Sequence, residues 1–301
     1  MPSPFSIAAP TALEYFAALV ADDASLPLTE AAIAIALDDY PGLDVQRVLA
    51  QIDHLARTLR ERLPADAPAV QKLRMLNRYF FQDLGFAGNV NDYYDPDNSF
   101  LHRVLETRLG IPISLSVLYI EIAQQIGLQA RGVSFPGHFL VKLRIPQGSQ
   151  PGEVVIDPFS GQSLSRAELD DQLRPYRRQQ GLADEEVPLG LFLQAATSRT
   201  VLARMLRNLK EIHRASGDAR RLLAACHRLV TLVPDDAAER RDRGLAAAEA
   251  GQDLLARTDL IAYLEHAPAA ADRDEIARRL LSLGSRASGG HRPGRGSPRL
   301  H

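Results

Sequence analysis

The sequence predicts an α+β domain followed by an all-α region of helical repeats. Three observations carry this reading. Apolar residues recur at helical spacing as far as Leu109, strand-like runs follow a helix that is apolar on nearly all sides, and helical spacing returns from about Leu189 with a self-similarity of 34 residues. A length of 301 residues suits two domains with a substantial core.

In the first region, Val45, Val48, Leu49, Ile52, Leu55 and Leu59 recur at steps of three and four, and the helix stops at Leu63-Pro64. A second helix is expected from Pro68 to Leu84, ended by Gly85. After the turn-rich stretch Asn91–Asn98, a third runs through Phe100, Leu101, Val104, Leu105 and Leu109. Asp97 or Asn98 is its expected cap, because a short side-chain oxygen can accept from the unpaired donors of a first turn.

The middle region changes period. Ile113 to Ile126 carries Ile113, Leu115, Val117, Leu118, Ile120, Ile122 and Ala123, which predicts a central helix buried on most faces. Pro112 suits its first turn, where a missing N–H costs nothing, and Gly127 suits its end. Strands are expected over Gln129–Phe135, Phe139–Ile145 and Glu153–Ile156. The stretch Pro146–Gly152 is expected as the loop joining the last two into an antiparallel pair.

In the third region Gly217 and Gly251 lie 34 residues apart, as do Pro234 and Pro268. Laid over each other, the two segments put Cys226 opposite Leu260 and Leu229 opposite Tyr263, and Gly244 falls at a small-residue position of the helix between them. A turn glycine, a proline after the second helix and this period resemble the tetratricopeptide repeat, although its usual aromatic positions are mostly Ala, Leu or Arg here. Such arrays present concave surfaces that hold peptides or proteins. From Gly284 the chain is rich in Gly, Ser, Pro and Arg and has no acidic residue, which predicts a disordered tail. Arg286, Arg292, Arg295 and Arg299 read as solvated, and His291 and His301 are too sparse for a metal site. The expected organisation is therefore a helical extension over 1–34, the α+β domain over 35–188, repeats over 189–283 and a tail over 284–301.

Composition narrows the function classes. The 35 basic and 37 acidic residues give a net charge of −2, so nothing favours a nucleic acid or an anionic membrane as partner. No apolar run approaches the roughly 20 residues of a membrane span. Met1–Ser6 lacks the basic start of a secretory signal, and a single cysteine excludes an intrachain disulfide and a multi-cysteine zinc site. A cytoplasmic protein is expected, with no cofactor.

The motifs Gly110-x-Pro112-x-Ser114-Leu115, Gly127-Leu-Gln-Ala-Arg131, Pro136-Gly-His138-Phe-Leu-Val and Ile156-Asp157-Pro158 resemble the transglutaminase-like core, a papain-like fold. Together with Asn91-Asp-Tyr-Tyr-Asp-Pro-Asp-Asn-Ser-Phe-Leu-His102 and Arg207-Asn-Leu-Lys210, they resemble the bacterial SirB-type family, in which tetratricopeptide repeats follow such a core. The resemblance covers about residues 35–283. It implies a nucleophilic cysteine at a helix N-terminus, where unpaired N–H groups favour thiolate, with a histidine as base and an aspartate orienting it. Counting on from Gly110 and back from Gly127, that position is Pro112, while His138 and Asp157 match the other two. Proline has neither a thiol nor a lone pair, so a thioester route is closed at this position.

Each candidate also has an ordinary structural role. Ser114 is an alternative nucleophile, yet it lies about 200° around the helix from Pro112 at the ~100° per residue of an α-helix. Its plainer role is to hydrogen-bond the first turn. Ser116 lies deeper still. Cys226 is expected as a buried small apolar residue, not as a partner of His227. His138 and Asp157 can be a retained inter-strand hydrogen bond, a ligand-binding pair, or part of a metal site, though no third ligand is evident. The loop Asn91–Asn98 lacks the Gly and Glu that a calcium-binding EF-hand loop requires, and it reads as a polar turn whose Tyr93, Tyr94 and Asn98 line the cleft.

The expected function is that of a non-catalytic interaction or regulatory module that holds a protein or peptide through its repeats and its inherited cleft. The resemblance implies a link to regulation of gene expression. The alternative is a hydrolase or acyl-transfer enzyme of altered mechanism, using Ser114 or a water activated by His138 and Asp157.

Overall fold

The structure, a computed structural model, describes residues 9–147, 150–182 and 187–288. It divides into two compact units, Met1–Ile212 and His213–His301.

In the first unit, helices α1 (Ala12–Leu19) and α2 (Leu28–Ala34) precede α3 (Val45–Arg62). A capping box starts α1: the Thr11 hydroxyl accepts from the Glu14 N–H, and the Glu14 carboxylate accepts from the Thr11 N–H. The predicted apolar stripe of α3 is its buried face, with Val45, Val48, Ile52, Ala56 and Leu59 inside. The expected second helix is α4 (Ala69–Asn77), which widens into a π-helical turn over Arg78–Asp83 and buries Tyr79 and Phe80.

The third helix, α5 (Leu101–Thr107), departs from expectation at both ends: it stops short of Leu109, which lies in a strand, and its start differs too. Its cap position is Phe100, with no side-chain hydrogen bond. Asp97 and Asn98 are already inside a 3-10 turn, Pro96–Ser99, which Asp95 caps by accepting from the Asp97 N–H at 2.9 Å. Pro96 presets a helical φ for this turn, and the extended Phe100 (φ −93, ψ 116) separates it from α5. Asp97 instead accepts from Tyr40 Oη (2.5 Å) and Arg103 Nε (2.9 Å).

Two strands too short for a sequence signal, β1 (Ala87–Gly88) and β2 (Leu109–Gly110), pair in parallel beside α6 (Pro112–Gln125). Helix α6 is buried along nearly its whole length, as its composition requires, and Gly127 leaves it at φ +80. It packs against α3 and against an antiparallel sheet of β3 (Gln129–Phe135), β4 (His138–Gln147), β5 (Gln150–Asp157) and β6 (Gln162–Leu164), in that order. Gly132 lies where a Cβ would come within 2.7 Å of the Phe139 ring. On the opposite face, Val133, Phe135, Leu140 and Val155 pack with Leu169 and Leu173 of α7 (Arg166–Gln180) and Leu189 of α8 (Leu189–Phe192). The expected loop Pro146–Gly152 is mostly strand: Ile145 pairs with Gly152, Pro146 with Pro151 and Gln147 with Gln150.

Helix α9 (Ser198–Ser216) runs across the division between the units. The second unit continues with α10 (Ala219–Leu232), α11 (Ala237–Glu249), α12 (Asp253–His266) and α13 (Arg273–Ser288). Helices α10 and α12 begin and end 34 residues apart, matching the repeat read from the sequence, and Gly217 and Gly251 take φ +71 and +74 before them. Cys226, Leu229, Leu260 and Tyr263 are all buried. Gly244 packs so closely that a Cβ would lie 2.8 Å from the Leu260 side chain. The tail expected from Gly284 is helical as far as Ser288, and its remaining residues, His291 and His301 among them, lie outside the described residues.

Candidate functional site

The start of α6 and the His138–Asp157 pair are linked by a short chain of contacts. Gly88 pairs with Gly110 across β1 and β2, Asn89 N–H donates to the Gly110 carbonyl, and Gly88 N–H donates to the Phe159 carbonyl at 3.1 Å. Phe159 follows Asp157 by two residues, and its N–H donates to Asp157 Oδ1 at 2.9 Å. Gly88 has no room for a side chain, since a Cβ there would come within 2.3 Å of the Phe159 ring. The ring of Tyr93 lies 5.9 Å from that of Phe159.

His138 opens β4 and Asp157 closes β5, so sheet register brings these residues to the same end of neighbouring strands. His138 Nε2 stands 3.9 Å from Asp157 Oδ2, an electrostatic contact longer than a hydrogen bond. Asp157 is held in place by Phe159 N–H and by the Ser160 hydroxyl at 2.8 Å. The other imidazole nitrogen, His138 Nδ1, is buried and has no hydrogen-bond partner.

Pro112 and Ser114 are both buried. The Ser114 hydroxyl donates to the Asn98 carbonyl at 2.6 Å and accepts from the Ile111 N–H at 3.1 Å. It thereby satisfies an orphan donor of the helix start and ties the preceding loop to it. No hydrogen bond joins Ser114 to His138 among the described residues. The Ser116 hydroxyl donates back to the Pro112 carbonyl at 2.7 Å. At the start of α6, then, the hydroxyl groups near Pro112 serve the backbone.

The loop residues divide by role. Asn98 is buried; its amide donates to the Asp92 carbonyl at 2.6 Å, and its side-chain oxygen accepts from Asn89 at 3.0 Å, so it braces the loop from within. Tyr93 and Tyr94 are exposed, with ring centroids 5.3 Å apart. Burial pushes the Tyr93 hydroxyl above the ordinary phenol range, with neighbouring Tyr94 adding to the rise and the Arg204 charge opposing it.

Arg204 of α9 is the residue that sequence reading missed. Its Nη1 donates to Ser134 Oγ (2.8 Å) and to the Phe135 carbonyl (3.2 Å), and its guanidinium lies 5.6 Å from the Phe139 ring centre. It stands three residues before Arg207 in the quoted motif, but an arginine on an amphipathic helix ordinarily reads as solvated surface. Among the described residues no group of three His, Cys, Asp or Glu side chains is arranged to hold a metal ion, and no helix is long and apolar enough to cross a membrane.

Comparison with known proteins gives concordant results. Residues 46–207 match the transglutaminase-like superfamily, and residues 209–281 match the tetratricopeptide repeat. A UPF0162 protein of Xylella fastidiosa (strain 9a5c) is 39% identical over 263 residues, spanning 87% of this chain and 92% of the relative. A UPF0162 protein of Vibrio cholerae serotype O1 is 30% identical over 242 residues, spanning 78% and 85%. The UPF0162 protein YchA of Escherichia coli (strain K12) is 28% identical over 234 residues, spanning 76% and 81%. No solved structure matches the chain. Tetratricopeptide repeats generally mediate protein–protein interactions. With a transglutaminase-like domain leading into such repeats, and with relatives matched over most of their length, the chain belongs to the UPF0162 family.

Proposed function

We propose that this protein is a non-catalytic, SirB-type regulatory module of the bacterial cytoplasm, which binds a protein or peptide partner through its repeats and through the cleft beside His138. The observation that carries the reading is the start of α6. A buried proline stands at the nucleophile position, and the nearest hydroxyl, Ser114, is committed to Asn98 and Ile111. Removing a covalent nucleophile ordinarily costs orders of magnitude in rate even where the remaining groups stay in place. The His138–Asp157 pair fits a binding role, since it presents a polar atom, His138 Nδ1, that no protein group uses.

A second reading keeps catalysis. A water-activating base would use the same Nδ1, which is buried at rest, with Asp157 on the opposite nitrogen. A panel of amide and ester substrates, assayed with wild type and His138→Ala, separates the two readings. Binding of a partner without turnover supports the module. Turnover in the wild type that His138→Ala abolishes supports the hydrolase.

A further inference from the structure

Arg204 carries a charge that the protein does not neutralise. Its Nη1 is spent on Ser134 Oγ and the Phe135 carbonyl, both neutral acceptors. Among the described residues no carboxylate pairs with it, and burial pulls its guanidinium below the ordinary arginine range. Guanidinium has five N–H donors, and Nε and Nη2 form the edge that grips a carboxylate through two parallel hydrogen bonds. That edge makes no hydrogen bond here and is not sealed from solvent. Two contacts of Nη1 and the face of Phe139 fix its orientation in advance. Such a group is expensive to leave partly desolvated without an anion.

From Arg204 a chain of contacts leads past His138 to Tyr93. Phe135, whose carbonyl holds Arg204, is the register partner of His138. His138 faces Asp157, Asp157 holds Phe159, and Phe159 lies against Tyr93. Tyr93 in turn feels the Arg204 charge. The Tyr93 phenol stays protonated at neutral pH and is a donor. These contacts set one fixed cation and one further donor among the rings of Phe139, Phe159 and Tyr93.

We infer that Arg204, with Tyr93, forms a subsite beside His138 that anchors a single carboxylate of a peptide partner. The inference rests on the binding reading of the cleft and deepens it. A singly charged anion fits better than phosphate, because one guanidinium balances one charge and the nearby Asp157 carboxylate opposes a second. The carboxylate has two sources, an acidic side chain or the C-terminus of a chain, and the test distinguishes them.

The full-length protein, labelled with ¹⁵N-arginine and ¹³C-histidine, is titrated with four probes and followed by NMR. These are N-acetyl-glutamate methylamide, N-acetyl-alanine with its free carboxylate, N-acetyl-alanine methylamide as the neutral control, and inorganic phosphate. The Arg204 Nε–H signal, assigned by its loss in Arg204→Lys, is expected to shift saturably with the carboxylate probes and to ignore the neutral one. The tighter of the two carboxylates names the source. Arg204→Lys keeps the charge but loses the fork. Binding read from the His138 ring signals is expected to weaken about tenfold or more in that variant. Tyr93→Phe, at an exposed ring, is expected to weaken it less while leaving the urea midpoint unchanged. An Arg204 signal silent to tens of millimolar carboxylate, or one that prefers phosphate, overturns the subsite. A His138 response to the neutral probe with Arg204 silent overturns the anchor alone and leaves the cleft reading standing.

Discussion

Pro112 and Ser114 stand two residues apart and divide the work of starting α6 between them. The proline needs no acceptor for an N–H it lacks, and the serine hydroxyl bonds Ile111 N–H and the Asn98 carbonyl. Ser114→Ala removes the hydroxyl and leaves the Ile111 N–H and the Asn98 carbonyl with only their long bond to each other, 3.4 Å. It is expected to cost roughly 1–3 kcal/mol, read as a lower urea midpoint with unchanged slope, and to leave carboxylate binding at the cleft intact. His102 supplies a second prediction at this scale. It is buried, its ring lies 4.5 Å from that of Tyr40, and neither ring nitrogen has a hydrogen-bond partner. Burial holds its pKa below the ordinary imidazole range, so the folded chain keeps His102 neutral while the unfolded chain takes up a proton near about pH 6.5. The stability it contributes is therefore full above that pH and is lost as pH falls toward the folded value. Urea midpoints measured from about pH 7.5 down to 5.5 are expected to fall for the wild type and to fall less steeply for His102→Phe.

Glycines and register control the elements. The 34-residue step between Gly217 and Gly251 was legible because each glycine takes a left-handed turn before a helix of the same length, a requirement that survives loss of the repeat's aromatic positions. Gly244 marks a close approach between α11 and α12. Gly244→Val is expected to destabilise the repeat unit by about 1–3 kcal/mol, as overpacking does, and hydrogen exchange should show the loss in α11 and α12 before the sheet. The start of α5 was misread because a 3-10 turn leaves no apolar period of its own, so Asp97 and Asn98 read as caps when they lie inside the turn. The strands β1, β2 and β6 were missed because two or three residues cannot show a period of two. They matter all the same: β1 holds Gly88 against Phe159. Gly88→Ala is expected to displace that ring and shift the Tyr93 and His138 signals.

For the molecule as a whole, order along the chain was legible where period and punctuation are strong. Helices, then a buried helix, then antiparallel strands, then a 34-residue repeat lead to the fold class that the superfamily matches support. The candidate site was legible only in part. His138 and Asp157 came from motif spacing, but Arg204 sits 66 residues beyond His138 on an ordinary amphipathic helix, and only tertiary packing brings it to Ser134 and Phe135. Pro112, at the position where the resemblance implies a cysteine, is the residue on which the proposed function turns. The most direct measurement is turnover of an amide, ester and acyl-transfer substrate panel by the full-length wild type beside His138→Ala. The account predicts that the two proteins are indistinguishable and show no turnover above buffer. Turnover by the wild type that disappears in His138→Ala would contradict it.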